Sequence, residues 1–231
     1  MIKLTTKIED VVKIQSKMMD FFNEERVDYC CQGYKTIEEV ANESGRNKEE
    51  LLDKINNKLK DLGTNTDKPR ELSIDDFSKL SIEDMIDSII DDHHSKEREL
   101  LSSIDPLLNK ILSVHFEAHG EELSKLHSLF GTLKTELELH FIKEEKITFP
   151  LMNANPNPSK EIVEKVEDLE ADHEKAGDII KEMIELTNGF SLPEDACRTF
   201  TKTYQDLDIL TKDIFVHIFK ENSILFEKFK K

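Results

Sequence analysis

Several residue types are scarce in this sequence. Tryptophan is absent, and the 231 residues include only 7 glycines, 6 prolines and 3 cysteines. Three cysteines make no disulfide framework and suit a reducing cytoplasm. No stretch approaches eighteen consecutive apolar residues, and the first residues lead into an acidic segment rather than a signal sequence. We therefore expect a cytoplasmic protein that is neither exported nor inserted in a membrane.

The charge balance is strongly acidic. There are 32 basic and 49 acidic residues, which gives a formal net charge of -17. Such a surface repels phosphate backbones and anionic lipids, so we expect neither nucleic acid nor a membrane as a partner. A content of 35% charged and 37% hydrophobic residues, with few turn formers, is typical of a helical bundle.

The first third of the chain predicts a small helical domain at residues 1–64. Helical segments are expected at Ile8–Phe22, Thr36–Ser44 and Lys48–Leu62, the second of them opened by a capping box between Thr36 and Glu39. Residues 65–80 lose this periodicity and gather turn formers, which predicts a linker. A second domain then occupies residues 81–231.

Four long stretches of the second domain repeat apolar residues every three or four positions. Each stretch carries one histidine in its middle: His94, His140, His173 and His217. The turn-rich segments 150–158 and 188–193 have lengths that suit antiparallel neighbours. The fold class predicted is therefore all-α, with an up-down four-helix bundle in which the four histidine-bearing faces meet.

Two of the stretches share the pattern His-x-x-x-Glu, at His140–Glu144 and His217–Glu221. Residues four apart lie on one face of a helix, so each pair points inward. Burying imidazoles and carboxylates among aliphatic side chains is costly unless a partner compensates them, and a metal supplies that partner. Four histidines and two carboxylates from four helices suit a dinuclear site. The mixed nitrogen and oxygen donors favour iron, with manganese and zinc as alternatives.

The other histidines and acidic residues are weaker candidates. His93 is about 100° from His94 on a helix, and His94 is preferred because it shares the row of Ile90 and Leu101. His115 is a second-tier metal candidate, since a continuous helix would separate it from His94 by about 32 Å and only a reversal near Pro106 would bring it back. Glu97 either orients an imidazole or is a boundary residue. The remaining three are expected at the surface or in loops: His119, His127 and Glu145.

The adjacent cysteines Cys30 and Cys31 are candidates for redox or metal transfer. A vicinal disulfide is strained, and a thiolate near a helix N-terminus has a lowered pKa. The alternative is a pair of reduced, partly buried thiols. Cys197 stands alone and is expected to be structural. No catalytic residue is predicted.

These motifs resemble the repair of iron centres family, the di-iron proteins that repair iron-sulfur clusters, over nearly the whole chain. The N-terminal part matches in Asp28-Tyr-Cys-Cys31, Gly33 and Thr36-Ile-Glu-Glu-Val40. The C-terminal, hemerythrin-like part matches in His93-His94, Lys110-Ile-Leu-Ser-Val-His115, Leu137-Glu-Leu-His140-Phe-Ile-Lys-Glu-Glu145, Asp172-His173, His217 and Glu221-Asn222. One departure is Phe219, where the family commonly has a second histidine, so an accessory role of that histidine is not carried over.

The resemblance implies a di-iron centre with His94, His140, His173 and His217 as ligands and Glu144 and Glu221 as bridges. It also implies a homodimer that helps to restore iron-sulfur clusters damaged by nitric oxide or peroxide, with iron supply as the mechanism and iron-sulfur proteins or a cluster scaffold as partners. The alternatives are an oxygen or nitric oxide binder or sensor, a nitric oxide reductase, and a purely structural bundle.

Overall fold

The computed structural model describes residues 2–63 and 74–230. These residues are helical, and the sole bridge between extended segments among them joins Lys7 to Thr36. The prediction of an all-α fold is therefore confirmed. The described residues group into two units, one within Met1–Ser81 and Ile218–Lys228, the other within Ile82–His217 and Phe229–Lys231.

The described residues of the first unit up to Ser78 form the helices α1 (Ile8–Ile14), α2 (Met18–Glu24), α3 (Ile37–Glu43), α4 (Lys48–Leu62) and α5 (Ile74–Ser78). The single helix expected at Ile8–Phe22 is two helices, because Gln15 adopts an extended backbone with φ -149° and ψ 102°. The capping box is confirmed: the Thr36 hydroxyl accepts from the Glu39 amide, and the Glu39 carboxylate accepts from the Thr36 amide. It satisfies amides at the start of α3 that have no helical acceptor.

The predicted linker, residues 65–80, differs from the structure in its second half. Residues 64–73 lie outside the described part of the chain, while α5 follows directly at Ile74. Ile74 and Phe77, three residues apart, are both buried on one face of α5. Five residues are too short a pattern to separate from loop sequence by periodicity.

Residues near the C-terminus also belong to the first unit, which the predicted domain at 81–231 did not include. The Phe219 ring lies 6.0 Å from that of Tyr29, and the Lys220 ammonium lies 5.1 Å above the Phe77 ring. The Asn222 side-chain amide donates to the Cys30 carbonyl oxygen at 3.2 Å. These contacts join residues far apart in the chain, so periodicity along the sequence does not reveal them.

The second unit is built from long helical runs. Its elements are α6 (Ile82–Ser88), a π-turn (Ile89–His94), α7 (Ser95–Val114), α8 (Phe116–Lys143), a π-turn (Glu144–Thr148), α9 (Phe149–Ala154), α10 (Lys160–Leu186) and α11 (Arg198–Lys220) up to His217. A third π-turn (Glu221–Leu225) and a 3-10 turn (Phe226–Lys228) continue α11 into the first unit.

Helix α8 lies antiparallel to both α7 and α10. Towards α7, Lys134 pairs with Asp105. His127, which comes before Lys134 in α8, contacts Asn109, which comes after Asp105 in α7. Towards α10, the ion pairs Lys143–Asp172 and Lys125–Glu182 run in the same opposed order. The order of these pairs agrees with the up-down arrangement expected for this part of the chain.

The chain does not reverse at Pro106, which lies inside α7. A proline leaves one helical hydrogen bond unmade, but the buried apolar row Leu101, Ile104, Leu108 and Ile111 continues past it and keeps the helix packed. The reversal comes at His115, which ends α7, and at His119, where a φ of -129° kinks the start of α8. Among the described helices, none is long and apolar enough to cross a membrane.

Candidate metal centre

Imidazole nitrogens from the second unit converge on one buried carboxylate. Glu144 Oε2 lies 3.2 Å from His94 Nε2 and 3.3 Å from His140 Nε2. His140 Nε2 in turn lies 3.0 Å from His173 Nε2. The four side chains are buried, so these polar atoms meet in the interior of the unit.

The donors form two sets that share Glu144. One set contains His94, Glu144 and His217, and the other contains His140, Glu144 and His173; within each, one ligand atom per residue lies within 4.8 Å of the others. The first set takes residues from three helical runs and the second from two, because His140 and Glu144 lie on the same run. The structure thus brings together five of the six predicted metal residues within the second unit.

The sixth, Glu221, is fully buried and begins the π-turn that continues α11. It follows His217 by four positions, one turn further along the same helical run. Glu221 therefore has the position relative to His217 that a His-x-x-x-Glu pair requires.

Widened helical turns occur at these candidate ligands. The π-turn Ile89–His94 ends at His94, and the π-turn Glu144–Thr148 begins at Glu144. Such turns are rare and are frequently found at functional sites. His93 and His94 are both buried, although adjacent residues of a regular α-helix point about 100° apart.

Three carboxylates orient the imidazoles from behind. The Nδ1 of His94 faces Glu145 Oε1 at 2.9 Å, and the Nδ1 of His217 faces Glu97 Oε1 at 3.1 Å. The Nδ1 of His140 lies 3.5 Å from Asp172 Oδ2. An imidazole that donates its Nδ1–H to a carboxylate presents the Nε2 lone pair, which is the form that binds a metal.

The pKa values of these carboxylates follow their surroundings. Burial raises the pKa of Glu97, against the lowering effect of His217. Burial alone would raise the pKa of Glu145, but hydrogen bonds from Arg98 and His94 outweigh it and the pKa is lowered. A hydrogen bond with His140, assisted by Lys143, lowers the pKa of Asp172 to about 2. Glu145 and Asp172 are thus held as anions beside their imidazoles.

The structure corrects the expected position of Glu145 and decides between the two interpretations of Glu97. Glu145 is not a surface residue, because its carboxylate is mostly covered and joins His94 to Arg98, 2.7 Å away. Of the two readings of Glu97, the fully buried orienting residue is the one observed. Asp172 is a neighbour of His173 in sequence yet contacts His140, a pairing set by the packing of α10 on α8.

His93 has a separate environment beside the two donor sets. Its ring stacks on that of His217 at 5.3 Å and 7°, and its Nδ1 lies 3.1 Å from Asp213 Oδ2. Lys96 donates to the other Asp213 oxygen at 2.6 Å. Sequence reasoning missed Asp213; its position four residues before His217, on the same face of α11, was the available signal.

The remaining histidines lie away from the two donor sets. The continuous α7 carries His115 about 32 Å along the helix from His94, so the second-tier metal candidate does not join the other imidazoles. Its Nε2 lies 3.3 Å from Cys197 Sγ instead. His119 pairs with Asp195 at 2.9 Å, and His127 meets the Asn109 side-chain oxygen at 3.1 Å.

The cysteine pair of the first unit consists of two reduced thiols, with Sγ atoms 3.6 Å apart. Asp28 Oδ1 accepts from the amides of Cys31 and Gln32 and lies 3.5 Å from Cys30 Sγ. Cys30 is buried and does not begin a helix, and burial together with the neighbouring Cys31 raises its pKa. Cys30 therefore lacks the helix N-terminus that would lower the pKa of its thiol, while the redox or transfer role of the pair stays a prediction.

The donor set of the second unit fits a transition metal. It offers four imidazole nitrogens and a carboxylate, with no thiolate, and three further carboxylates lie beside the Nδ1 atoms of three of the rings. A buried set of this kind on facing helices defines a helical-bundle metalloprotein.

The family comparison agrees with this class. The Hemerythrin HHE cation binding domain matches residues 85–229, and the chain belongs to that family. Residues 4–59 match ScdA_N, a domain of unknown function (DUF542).

Similar proteins share both parts. The chain is 29% identical to the iron-sulfur cluster repair protein ScdA of Staphylococcus epidermidis, over 96% of each chain. It is 28% identical to a probable iron-sulfur cluster repair protein of Haemophilus influenzae and to the iron-sulfur cluster repair protein YtfE of Pectobacterium atrosepticum, in both cases over 90% of this chain and 88% of the relative. The resemblance expected from the sequence motifs is thereby confirmed.

Proposed function

We propose that this chain binds two iron ions around Glu144 and uses them to restore damaged iron-sulfur clusters. The observation that carries the proposal is the carboxylate shared by two donor sets, with Glu144 Oε2 within 3.3 Å of an imidazole nitrogen from each. Bundle proteins hold two neighbouring cations with shared carboxylates of this kind. The names of the similar proteins support the repair role.

Each residue has a distinct role in this proposal. His94 and His217 would hold one iron, while His140 and His173 would hold the other. Glu144 would bridge the two ions. Glu221 would be the second bridge, supported by its burial and its position one turn after His217. The carboxylates behind the rings hold each imidazole in the neutral tautomer that a metal needs.

Iron is the metal we expect, because nitrogen and oxygen donors without thiolate suit it better than they suit thiophilic metals. Ferrous iron lies near the weak end of the divalent series, so a site of this type can give up its metal to a stronger acceptor. The iron is then cargo, and the damaged cluster or its scaffold is the acceptor. Manganese and zinc remain competitors that metal analysis of the purified protein distinguishes.

The cysteine pair completes the proposal as a redox or transfer group. Cys31 is more exposed than Cys30, and the two sulfurs are already adjacent. A thiol of raised pKa is a poor nucleophile at neutral pH, so Cys31 rather than Cys30 is the first to react. Replacing Cys31 with serine should slow cluster restoration while leaving the iron content unchanged.

Transfer of iron to a cluster-free acceptor tests the function. The iron-loaded protein is mixed anaerobically with an iron-depleted ferredoxin, sulfide and a thiol, and cluster absorbance and iron in each protein are followed. We expect iron to leave the chain and the cluster to form. A matched Glu144→Gln variant should bring less iron, whereas Glu117→Gln, an exposed change on α8, should behave as the wild type. Iron that stays bound while no cluster forms rejects the repair proposal.

The competing functions give different results in the same preparation. Rapid consumption of nitric oxide by the reduced protein, with all iron retained, would select a nitric oxide reductase. Reversible spectral changes with oxygen or nitric oxide, without transfer, would select a carrier or sensor. A protein purified without stoichiometric metal would select a structural bundle. The homodimer implied by the family resemblance is tested by light scattering of the iron-loaded chain.

A further inference from the structure

A second cluster of reactive side chains lies where α7 ends and α11 begins. The His115 Nε2 is 3.3 Å from the Cys197 Sγ, and the His115 Nδ1 is 3.8 Å from Asp195 Oδ2. The other oxygen of Asp195 lies 2.9 Å from His119 Nε2. The Phe200 ring meets both imidazoles edge-on, at 5.2 and 5.9 Å between centroids. None of these residues takes part in the proposed iron function.

The backbone around Cys197 favours a thiolate. The Cys197 carbonyl accepts from the Thr201 amide at 3.0 Å, so this residue stands at the N-terminal cap of the 23-residue helix α11. The amides of the first turn, those of Phe200 and Thr199, help to lower the pKa of its thiol. The N-terminus of a helix carries partial positive charge and stabilises an anion placed there.

The neighbouring imidazole adds to this effect. His115, followed by the amide of Phe200, lowers the pKa of Cys197 to about 7. Asp195 and His119, the other titratable groups of the cluster, lie beside His115, and the pKa of Asp195 is lowered by His119. Asp195 is therefore an anion at neutral pH and lies beside both imidazoles. Cys197 is also exposed to solvent.

We propose that Cys197 is a site of thiol-disulfide exchange with low-molecular-weight disulfides, with His115 as its positioning and activating base. The Cys197 thiolate attacks one sulfur of the small disulfide and forms a new S–S bond, while the original S–S bond breaks. The departing thiolate keeps the electron pair of that bond and takes a proton from the His115 imidazolium. The product is a mixed disulfide at Cys197, and no other oxidant is needed.

A thiol of this pKa is well matched to the reaction. Exchange is fastest when the attacking thiol has a pKa near the ambient pH, because a lower pKa raises the thiolate fraction but weakens the nucleophile. With a Brønsted slope of about 0.45, moving the pKa from about 8.5 to about 7 increases the rate at pH 6 by about six-fold. The expected signature is therefore a displaced pH profile rather than a large rate.

The test follows mixed-disulfide formation with glutathione disulfide between pH 5.5 and 9. The full-length protein is used with and without iron, and intact-mass measurement and peptide mapping locate the modification. We expect the rate at Cys197 to reach half its limiting value near pH 7. In His115→Gln the midpoint should move up by about one unit or more, towards that of an ordinary thiol. At pH 6 the rate should fall about three- to six-fold.

Matched variants keep the result interpretable. His127→Gln replaces another partly buried histidine of the second unit that contacts Asn109, and should leave the profile unchanged. Cys197→Ser should abolish the modification at this position and leave iron content intact. A wild-type midpoint of 8.5 or above, or the same midpoint in His115→Gln, overturns the proposal. If His115→Gln loses helicity, the pH midpoint of the wild type alone tests the proposal.

Discussion

Two groups of histidines in the second unit show how surroundings change one side chain. His94, His140, His173 and His217 are buried, and three of them have a carboxylate at Nδ1. His115 and His119 are partly exposed and share a single aspartate. The buried rings with carboxylates behind them point their Nε2 atoms at a common interior point, whereas the partly exposed His115 lies beside a cysteine thiol.

The cysteines also differ in burial and in their neighbours. Cys30 is buried, and its pKa is raised; Cys197 is exposed at a helix N-terminus beside His115, and its pKa is lowered. Desolvation disfavours the thiolate, while a nearby cation and amide donors favour it. The type of residue therefore does not identify the reactive site; its burial and neighbours do.

The largest expected effect is at the shared carboxylate. Glu144→Gln removes the negative charge that both donor sets have in common, so iron per chain should fall by at least half, or a coupled di-iron signal should become mononuclear. Metal analysis and electron paramagnetic resonance provide the measurement, and Glu117→Gln is the control. Unchanged spectra in the Glu144 variant would remove the bridge assignment.

Metal removal should have the next largest effect, on stability. A metal that binds the folded protein at a free concentration of 100 times its Kd stabilises it by about 2.7 kcal/mol. Chelation should therefore lower the free energy of unfolding of the wild type by about this amount in denaturant titrations. The same treatment should change Glu144→Gln much less. If chelation lowered the free energy of unfolding equally in the two proteins, the stabilising metal would not be the one bound at Glu144.

A smaller effect is expected at the orienting carboxylates. Glu97→Gln leaves a hydrogen-bond acceptor near His217 Nδ1 but removes its charge, and metal affinity should fall about 10- to 100-fold. Competition with a metal-binding dye measures the change. Glu99→Gln, an exposed change two residues along α7, is the matched control. An unaltered metal affinity in the Glu97 variant would mean that the charge of Glu97 does not contribute to metal binding.

The smallest effect distinguishes the two cysteines by pH. Since the thiolate is the reactive form, Cys197 should reach half its limiting rate of alkylation near pH 7, and Cys30 should stay slow until well above the ordinary thiol pKa. Short pulses of iodoacetamide from pH 6 to 9, followed by peptide mapping, measure both residues in one sample. In denaturant the two profiles should merge, because the folded surroundings cause the difference.

Much of the second unit could be predicted because its signals are periodic and long. The apolar rows that contain His140 and His173 continue over many turns. A pattern of that length fits few structures other than a long helix with one buried face. Helix α4 likewise begins and ends at the predicted residues, Lys48 and Leu62. The short helix α5 and the division of Ile8–Phe22 into two helices were missed, since a few residues of pattern do not outweigh local backbone preferences.

The site was predictable only where its residues follow helical spacing. His140 and Glu144 are four apart, so one helix face carries both. Asp213 and Asp172 were missed as partners of His93 and His140, and Glu145 was expected at the surface. Each of these carboxylates meets an imidazole from a different helix, and such a meeting depends on how the helices pack.

The sequence by itself determined the helical class, the four histidine-bearing faces, the pair of His-x-x-x-Glu patterns and the acidic surface, because each depends on residue type and local periodicity. The tertiary structure decided which nitrogen each ring presents, which carboxylate lies behind it, and that His115 faces Cys197 rather than the buried imidazoles. Those outcomes depend on helix ends, π-turns and contacts between residues distant in the chain. Charge and burial at such contacts set the chemistry of each histidine.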